Sequence, residues 1–392
     1  MRLPVVRFPT PQPVFETGPR SIAAVRVLRI SITDRCNFRC VYCMPADGVR
    51  WLPQGDILTF EEIRDVVRAA VELHGITRVK LTGGEPTVRS GLVDLVGMLR
   101  EIVALEDISL TTNGMRLGEL AHPLKQAGLD RVTVSMDSLD SARFKRITRT
   151  GDLPTVLKGV YRAQEAGLGV KLNCVTMRGV NDDELVEFAR LSLHQKLTVR
   201  FIEYMPLGDA ELLRQDFGVK GRVGNSGASE GESRGDGLET RATIDSSEIG
   251  PAGGCGAQDR GQDSLVPEAL VRETIENELG PLEPVGSSDE PGVGPAKVFR
   301  LSRGNPRGRI GFISAMSAPF CATCNRLRLT ATGVLRSCLF EGGEVPIRPI
   351  LRSTQGPVER RRAVAQAMTD CVRLKPEVHS HRGNEQMSRI GG

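Results

Sequence analysis

Six of the nine cysteines stand in two groups of three. Cys36, Cys40 and Cys43 form C-x3-C-x2-C within SITDRCNFRCVYC. Cys321 and Cys324 form C-x2-C, and Cys338 follows after thirteen intervening residues. Three thiolates on one tight loop can hold three irons of a [4Fe–4S] cubane. The fourth iron then lacks a protein ligand, and an open coordination position marks a catalytic rather than a structural site. A zinc knuckle would need a fourth ligand, and no His lies near the first triad; zinc completed by an external ligand is the stronger rival at the second. Of the remaining cysteines, Cys174 falls on a strand-like segment and Cys371 on a helical one, as small buried hydrophobes do. Cys255, flanked by Gly253, Gly254 and Gly256, reads as an incidental free thiol.

Two other segments carry chemistry. Thr82-Gly83-Gly84-Glu85-Pro86 joins two glycines, which permit close approach of a ligand to backbone, to a carboxylate suited to an ammonium group. Arg326 and Arg328 alternate on a β-rich segment, so both guanidinium forks can face one way.

The surrounding pattern must place these groups. Short β-rich runs at Val27–Ile32, Arg78–Leu81, Ile108–Thr111, Arg131–Met136, Gly169–Val175 and Thr198–Ile202 alternate with helix-period segments. Ile63, Val66, Val67, Ala70 and Val71 make one apolar stripe; Leu92, Val93, Val96, Leu99 and Val103 make another. About six strand–helix repeats predict an α/β fold, a partial (β/α)6 TIM-type barrel, with an open doubly wound sheet as the alternative. The first cysteine loop then leaves the carboxyl end of the first strand, where such folds collect ligands. Residues 217–264 are polar and Gly-rich without apolar periodicity and predict a disordered insertion. The expected organisation is a flexible leader over 1–26, the barrel over 27–216, the insertion, and a C-terminal α+β extension over 265–392. In that extension a helix is expected from Leu265 to about Glu278, strands at Lys297–Leu301 and Arg309–Ile313, a hairpin of Arg326–Leu329 with Leu335–Cys338, and a helix at Arg360–Leu374.

Composition bounds the partners. Hydrophobic residues make up 40% and charged residues 26%, and the formal net charge is +4. This predicts neither nucleic-acid nor membrane binding. No secretory segment is evident, so a cytoplasmic chain without a disulfide framework is expected.

The residues around the first triad, including Tyr42, resemble the radical S-adenosylmethionine (SAM) superfamily. The stretch from Phe320 to Arg328 closely resembles the C-terminal cluster motif of the GTP 3′,8-cyclase family of molybdenum cofactor biosynthesis. LRISITDRCNFRCVYC, KLTGGEPTVR, LTTNG, VSMDSLD, VKLNCV and RFIEYM match family blocks in order, from about Val27 to the C-terminus with 217–264 excluded. The resemblance implies a lyase with two [4Fe–4S] clusters, one per triad, with SAM on the first and the guanine of GTP on the second. It places Arg29, Lys80, Thr111, Lys171, Arg200, Arg326, Leu327 and Arg328 around GTP, and Tyr42, Gly84, Ser135 and Met205 around SAM. Arg326 or Arg328 is the expected source of the final proton. An external reductant such as a flavodoxin or ferredoxin is implied, as is a downstream cyclic pyranopterin monophosphate synthase; a homodimer is left open. The closing Gly391-Gly392 matches a family tail that inserts toward the active site. Lys80 departs from the family, which often has Arg there, and the 217–264 insertion has no counterpart in typical members. The competing readings are a radical SAM enzyme with an auxiliary cluster acting on a peptide, and an iron–sulfur sensor or scaffold.

Overall fold

The computed structural model describes residues 16–205, 264–286, 294–304, 306–340 and 343–379. Six strands, β1 (Val27–Ser31), β2 (Arg78–Thr82), β3 (Asp107–Thr112), β4 (Arg131–Ser135), β5 (Gly169–Thr176) and β6 (Thr198–Glu203), pair in parallel and in sequence order. A doubly wound sheet reverses its strand order at a switch point. No reversal occurs here, so the wall is that of a partial barrel.

Helices α1 (Phe60–His74), α2 (Leu92–Arg100), α3 (Leu117–Gln126), α4 (Ser141–Thr148), α5 (Leu153–Glu165) and α6 (Leu185–His194) connect the strands. Local signals fix α1: Thr59 and Glu62 exchange hydrogen bonds as a capping box, and Gly75, at φ +64°, ends the helix. Its expected apolar stripe is buried. On α2 the stripe is different. Val103 is 99% exposed, because the helix stops at Arg100 and the chain turns; Leu95 and Ile102 enter the core instead. Outward-facing strand residues such as Leu28, Ile30, Val132 and Val134 share one continuous core with these helices.

The C-terminal segments continue the same sheet. After α7 (Glu268–Leu279) come β7 (Leu282–Pro284), β8 (Lys297–Leu301), β9 (Arg309–Ile313), β10 (Arg326–Leu329), β11 (Val334–Arg336) and β12 (Glu344–Pro346), then α8 (Arg348–Leu351) and α9 (Pro357–Arg373). β9 pairs in parallel with β6, and β10 pairs in parallel with β1. Both edges of the six-stranded wall are thereby covered, which removes unpaired backbone groups. Pro267 precedes α7 and delays its start to Glu268, and Pro357 opens α9 a turn earlier than the apolar pattern indicated. The hairpin's second strand ends at Arg336, which leaves Cys338 on the loop beyond it.

Within residues 16–26, expected as part of a flexible leader, several side chains dock on the fold: Ser21 and Val25 are buried, and Arg20 donates to the Lys375 carbonyl and pairs with Glu377. Residues 217–263 of the expected insertion, Cys255 among them, and the terminal Gly391-Gly392 lie outside the described residues.

The loop after β1 and the turn after β2 lock together. The Gly84 amide donates to the Thr33 carbonyl at 2.8 Å, and the Glu85 amide donates to the Arg35 carbonyl at 2.7 Å. A Cβ on Gly84 would stand 2.4 Å from the Arg35 oxygen, and Gly83 has φ +153°. The close approach that the glycines permit is thus made by the cysteine loop itself. Glu85 is also engaged within the chain: its carboxylate accepts from the Thr87 amide and hydroxyl, the Thr112 hydroxyl and the Asn113 amide. Gly84→Ala should therefore destabilise the metal-free protein by about 1–3 kcal/mol. Denaturant unfolding reads this directly, and an unchanged midpoint would contradict the packing described.

Candidate active site

The strands enclose a cavity of about 340 Å³. Period-two alternation puts Arg29, Lys80, Thr111, Ser135, Lys171, Arg200 and Arg328 on its inner face. Tyr42, Gly84, Met205 and Arg326 also line it. Leu327 does not. One position out of phase with Arg326 and Arg328, it is fully buried in the core on the opposite face of the sheet. Arg29, Lys80 and Lys171 lie within their strands, and Arg326 opens β10.

All six triad cysteines face this cavity. Cys36, Cys40 and Cys43 follow the carboxyl end of β1. Cys324 lies two residues before the start of β10, which runs parallel to β1, with Arg326 opposite Val27. Cys338 follows β11, which runs antiparallel to β10. The second triad therefore sits at the amino-terminal end of the barrel, and the basic wall lies between the two.

The first loop is held from several sides. Arg39 donates to the Cys36 and Phe38 carbonyls, at 2.8 and 2.9 Å. The Tyr42 hydroxyl donates to Asp137 at 2.6 Å, and Asp137 also accepts from the Val175 amide at 2.8 Å. Burial pushes Asp137 up to about 6 despite these bonds. Burial likewise raises Cys36 to about 11, and it raises Cys40, which its neighbours Cys43 and Cys36 raise further. At the second triad burial raises Cys321, with Cys338 and Cys324 adding to it. For Cys324 burial acts upward, but Arg326 and Lys375 outweigh it and the thiol is lowered. Each triad is thus compact enough for its thiols to sense one another. Among the described residues no three His, Cys, Asp or Glu side chains gather as around one metal ion. What each triad does offer at the cavity wall is three free thiols, the donor type that holds three irons of a [4Fe–4S] cluster.

Electrostatics in the wall are strained in one direction. Arg29 is lowered well below its ordinary value by burial, then by Arg328, Arg326 and Arg200. Lys80 is lowered by burial, then by Arg200, Arg29 and Lys171. Arg328 falls to about 9 through burial and Arg326. Like charges so placed favour a multiply charged anion as ligand. The buried Thr111 hydroxyl has no hydrogen-bond partner among the described residues, which also fits a ligand that would supply one.

Several neighbours were not read from the sequence. Lys375 donates to the carbonyls of Cys324 and Arg326, at 3.1 and 3.2 Å. His379 stacks on Phe340 with ring centroids 4.1 Å apart, and its Nε2 contacts the Ala315 carbonyl oxygen at 3.0 Å. No local pattern marks these two, which arrive from the end of α9. Thr133 and Asn173 could have been found, as polar residues alternating with apolar ones on buried strands.

The chain matches the Radical SAM superfamily over residues 30–192 and Molybdenum Cofactor Synthesis C over residues 248–381. It is 43% identical over 373 residues to a GTP 3′,8-cyclase of Pelotomaculum thermopropionicum, spanning 94% of this chain and 98% of that one. Identity to the GTP 3′,8-cyclase of Moorella thermoacetica is 44% with the same coverage. For that of Listeria monocytogenes it is 38%, spanning 93% of this chain and 96% of the relative. Similarity of this extent, running through both cysteine triads and the basic wall between them, shows that the chain belongs to the GTP 3′,8-cyclase family of the radical SAM superfamily.

Proposed function

We propose that this protein converts GTP to 3′,8-cyclo-7,8-dihydro-GTP, the first step of molybdenum cofactor biosynthesis. One observation carries the reading: both cysteine triads open into a single cavity whose intervening wall is basic. Cys36, Cys40 and Cys43 would hold one [4Fe–4S] cluster, and Cys321, Cys324 and Cys338 a second. Held by the first triad and with SAM bound, such a cluster would supply the radical hydrogen abstraction that the reaction on ribose requires.

The chain's own contribution is position. Arg29, Lys80, Lys171, Arg200, Arg326 and Arg328 neutralise and orient the triphosphate, and Thr111 contributes its hydroxyl. Tyr42, tied down by Asp137, keeps the first loop in place, with Gly84, Ser135 and Met205 around SAM. A fixed substrate matters because a single C–H bond must be presented within contact range. The enclosing wall excludes water from the reacting atoms, and Arg326 or Arg328 delivers the last proton. A reductant such as a flavodoxin or ferredoxin supplies electrons, and a cyclic pyranopterin monophosphate synthase consumes the product. The near-full-length relatives disfavour the peptide-acting alternative.

Anaerobically reconstituted protein given SAM, dithionite and GTP should form the cyclised nucleotide together with 5′-deoxyadenosine. If 5′-deoxyadenosine accumulated while GTP stayed intact, the substrate assignment would be wrong. Iron and sulfide analysis should give about eight irons per chain; a preparation that takes up only zinc would remove the basis of the mechanism. Cys36→Ala should abolish both products. Cys338→Ser should spare SAM cleavage while impairing GTP conversion, and equal loss of both would refute the division of labour between the triads.

A further inference from the structure

Thr133 lies within β4 and lines the cavity, in register with Thr111 on β3 and Lys171 on β5. Its Oγ1 accepts from Lys80 Nζ at 3.0 Å and from Arg200 Nη2 at 3.2 Å. Arg200 is steadied from its other side, where Nε donates to Asn173 Oδ1 at 2.9 Å. A hydroxyl offers two lone pairs and one proton. Both lone pairs are taken by cations, so the O–H must point away from them. Thr133 is only 3% exposed, and among the described residues no acceptor receives its proton. The donor therefore faces the cavity, where a ligand oxygen could accept it. The Thr111 hydroxyl, opposite it on the next strand, is likewise unsatisfied.

We propose that Thr133 is a substrate-binding residue: its hydroxyl clasps Lys80 and Arg200 into one fork and donates its own proton to a phosphate oxygen of the nucleotide. The inference rests on the GTP reading and names a group that reading did not include. A phosphate oxygen is the acceptor the surroundings select, being anionic beside two cations and having no proton to clash with theirs. Thr133 also has a positioning role, because it holds together two like charges that repel.

Calorimetric titration of the anaerobically reconstituted protein with GTP, and separately with guanosine, tests this. Thr133→Val keeps the shape and strand preference but removes the hydroxyl. It should weaken GTP binding roughly tenfold or more while leaving guanosine binding as in the unaltered protein. Thr133→Ser, which restores the hydroxyl, should recover most of the GTP affinity. Undiminished GTP affinity in Thr133→Val would overturn the proposal. So would an equal loss for GTP and guanosine, which would put the hydroxyl in service of the fold or the nucleoside. Failure of the unaltered protein to bind GTP would instead bring down the reading on which the inference rests.

Discussion

Basic side chains are made to face one another inside an enclosed cavity, and much of the structure serves to keep them there. Eight Lys and Arg residues line the cavity against three carboxylates. Those carboxylates have work of their own: Asp107 pairs with Arg131, Glu85 holds the turn after β2, and Asp137 holds Tyr42. Burial and mutual repulsion lower Arg29, Lys80 and Arg328 together. In medium of low polarity such repulsion is only weakly screened, so the arrangement stores a preference for an anion in the fold before any ligand arrives.

Two features of the sheet make this tolerable. Parallel strands with helices outside bury their outer faces in one apolar core, which anchors each inward-pointing cation by its neighbours on either side. The pairing of β10 with β1 then sets Arg328 beside Arg29, itself beside Lys80. That pairing also helps fix the second cysteine triad relative to the first. The five residues of β1 span about 13 Å, so the two triads are held at opposite ends of a chamber of nucleotide scale. A buried carboxylate reinforces the arrangement: Glu203, at the end of β6, accepts from the Met316 and Ser317 amides, both at 2.8 Å, and from the Glu268 amide at 3.1 Å. It thereby ties the loop leading to Cys321 to the strand that precedes Met205.

The first cysteine loop depends on backbone contact more than on side chains. Gly83 and Gly84 press against Thr33 and Arg35, and Glu85 spends its hydrogen-bonding capacity on the next turn and on β3. A motif that reads as a ligand cradle is, in its local geometry, first a clamp on the loop that carries Cys36, Cys40 and Cys43.

Much of this was legible in the chain alone. Cysteine spacing identified both triads, since thiolate sites need particular residues at short separations. The six strands of the wall were located to within a residue or two, because apolar alternation, helix stripes and turn residues all act locally. What local pattern could not supply was the closure. Strand order, the parallel pairing of β1 with β10 and of β6 with β9, and the placing of the second triad at the barrel's far end depend on contacts between residues far apart in the chain, such as Val27 with Arg326 and Thr198 with Arg309. Leu327 shows the limit at the scale of one residue: its motif neighbours point into the cavity, and the strand's two-residue period turns it into the core. Val103 shows the same limit in a helix that ended before its apolar pattern did. Thr133 was visible only as a polar residue on a buried strand; that its lone pairs are filled by Lys80 and Arg200, and its proton thereby directed elsewhere, is decided by side chains from β2, β4 and β6, strands that are not neighbours in the sheet, meeting inside the cavity.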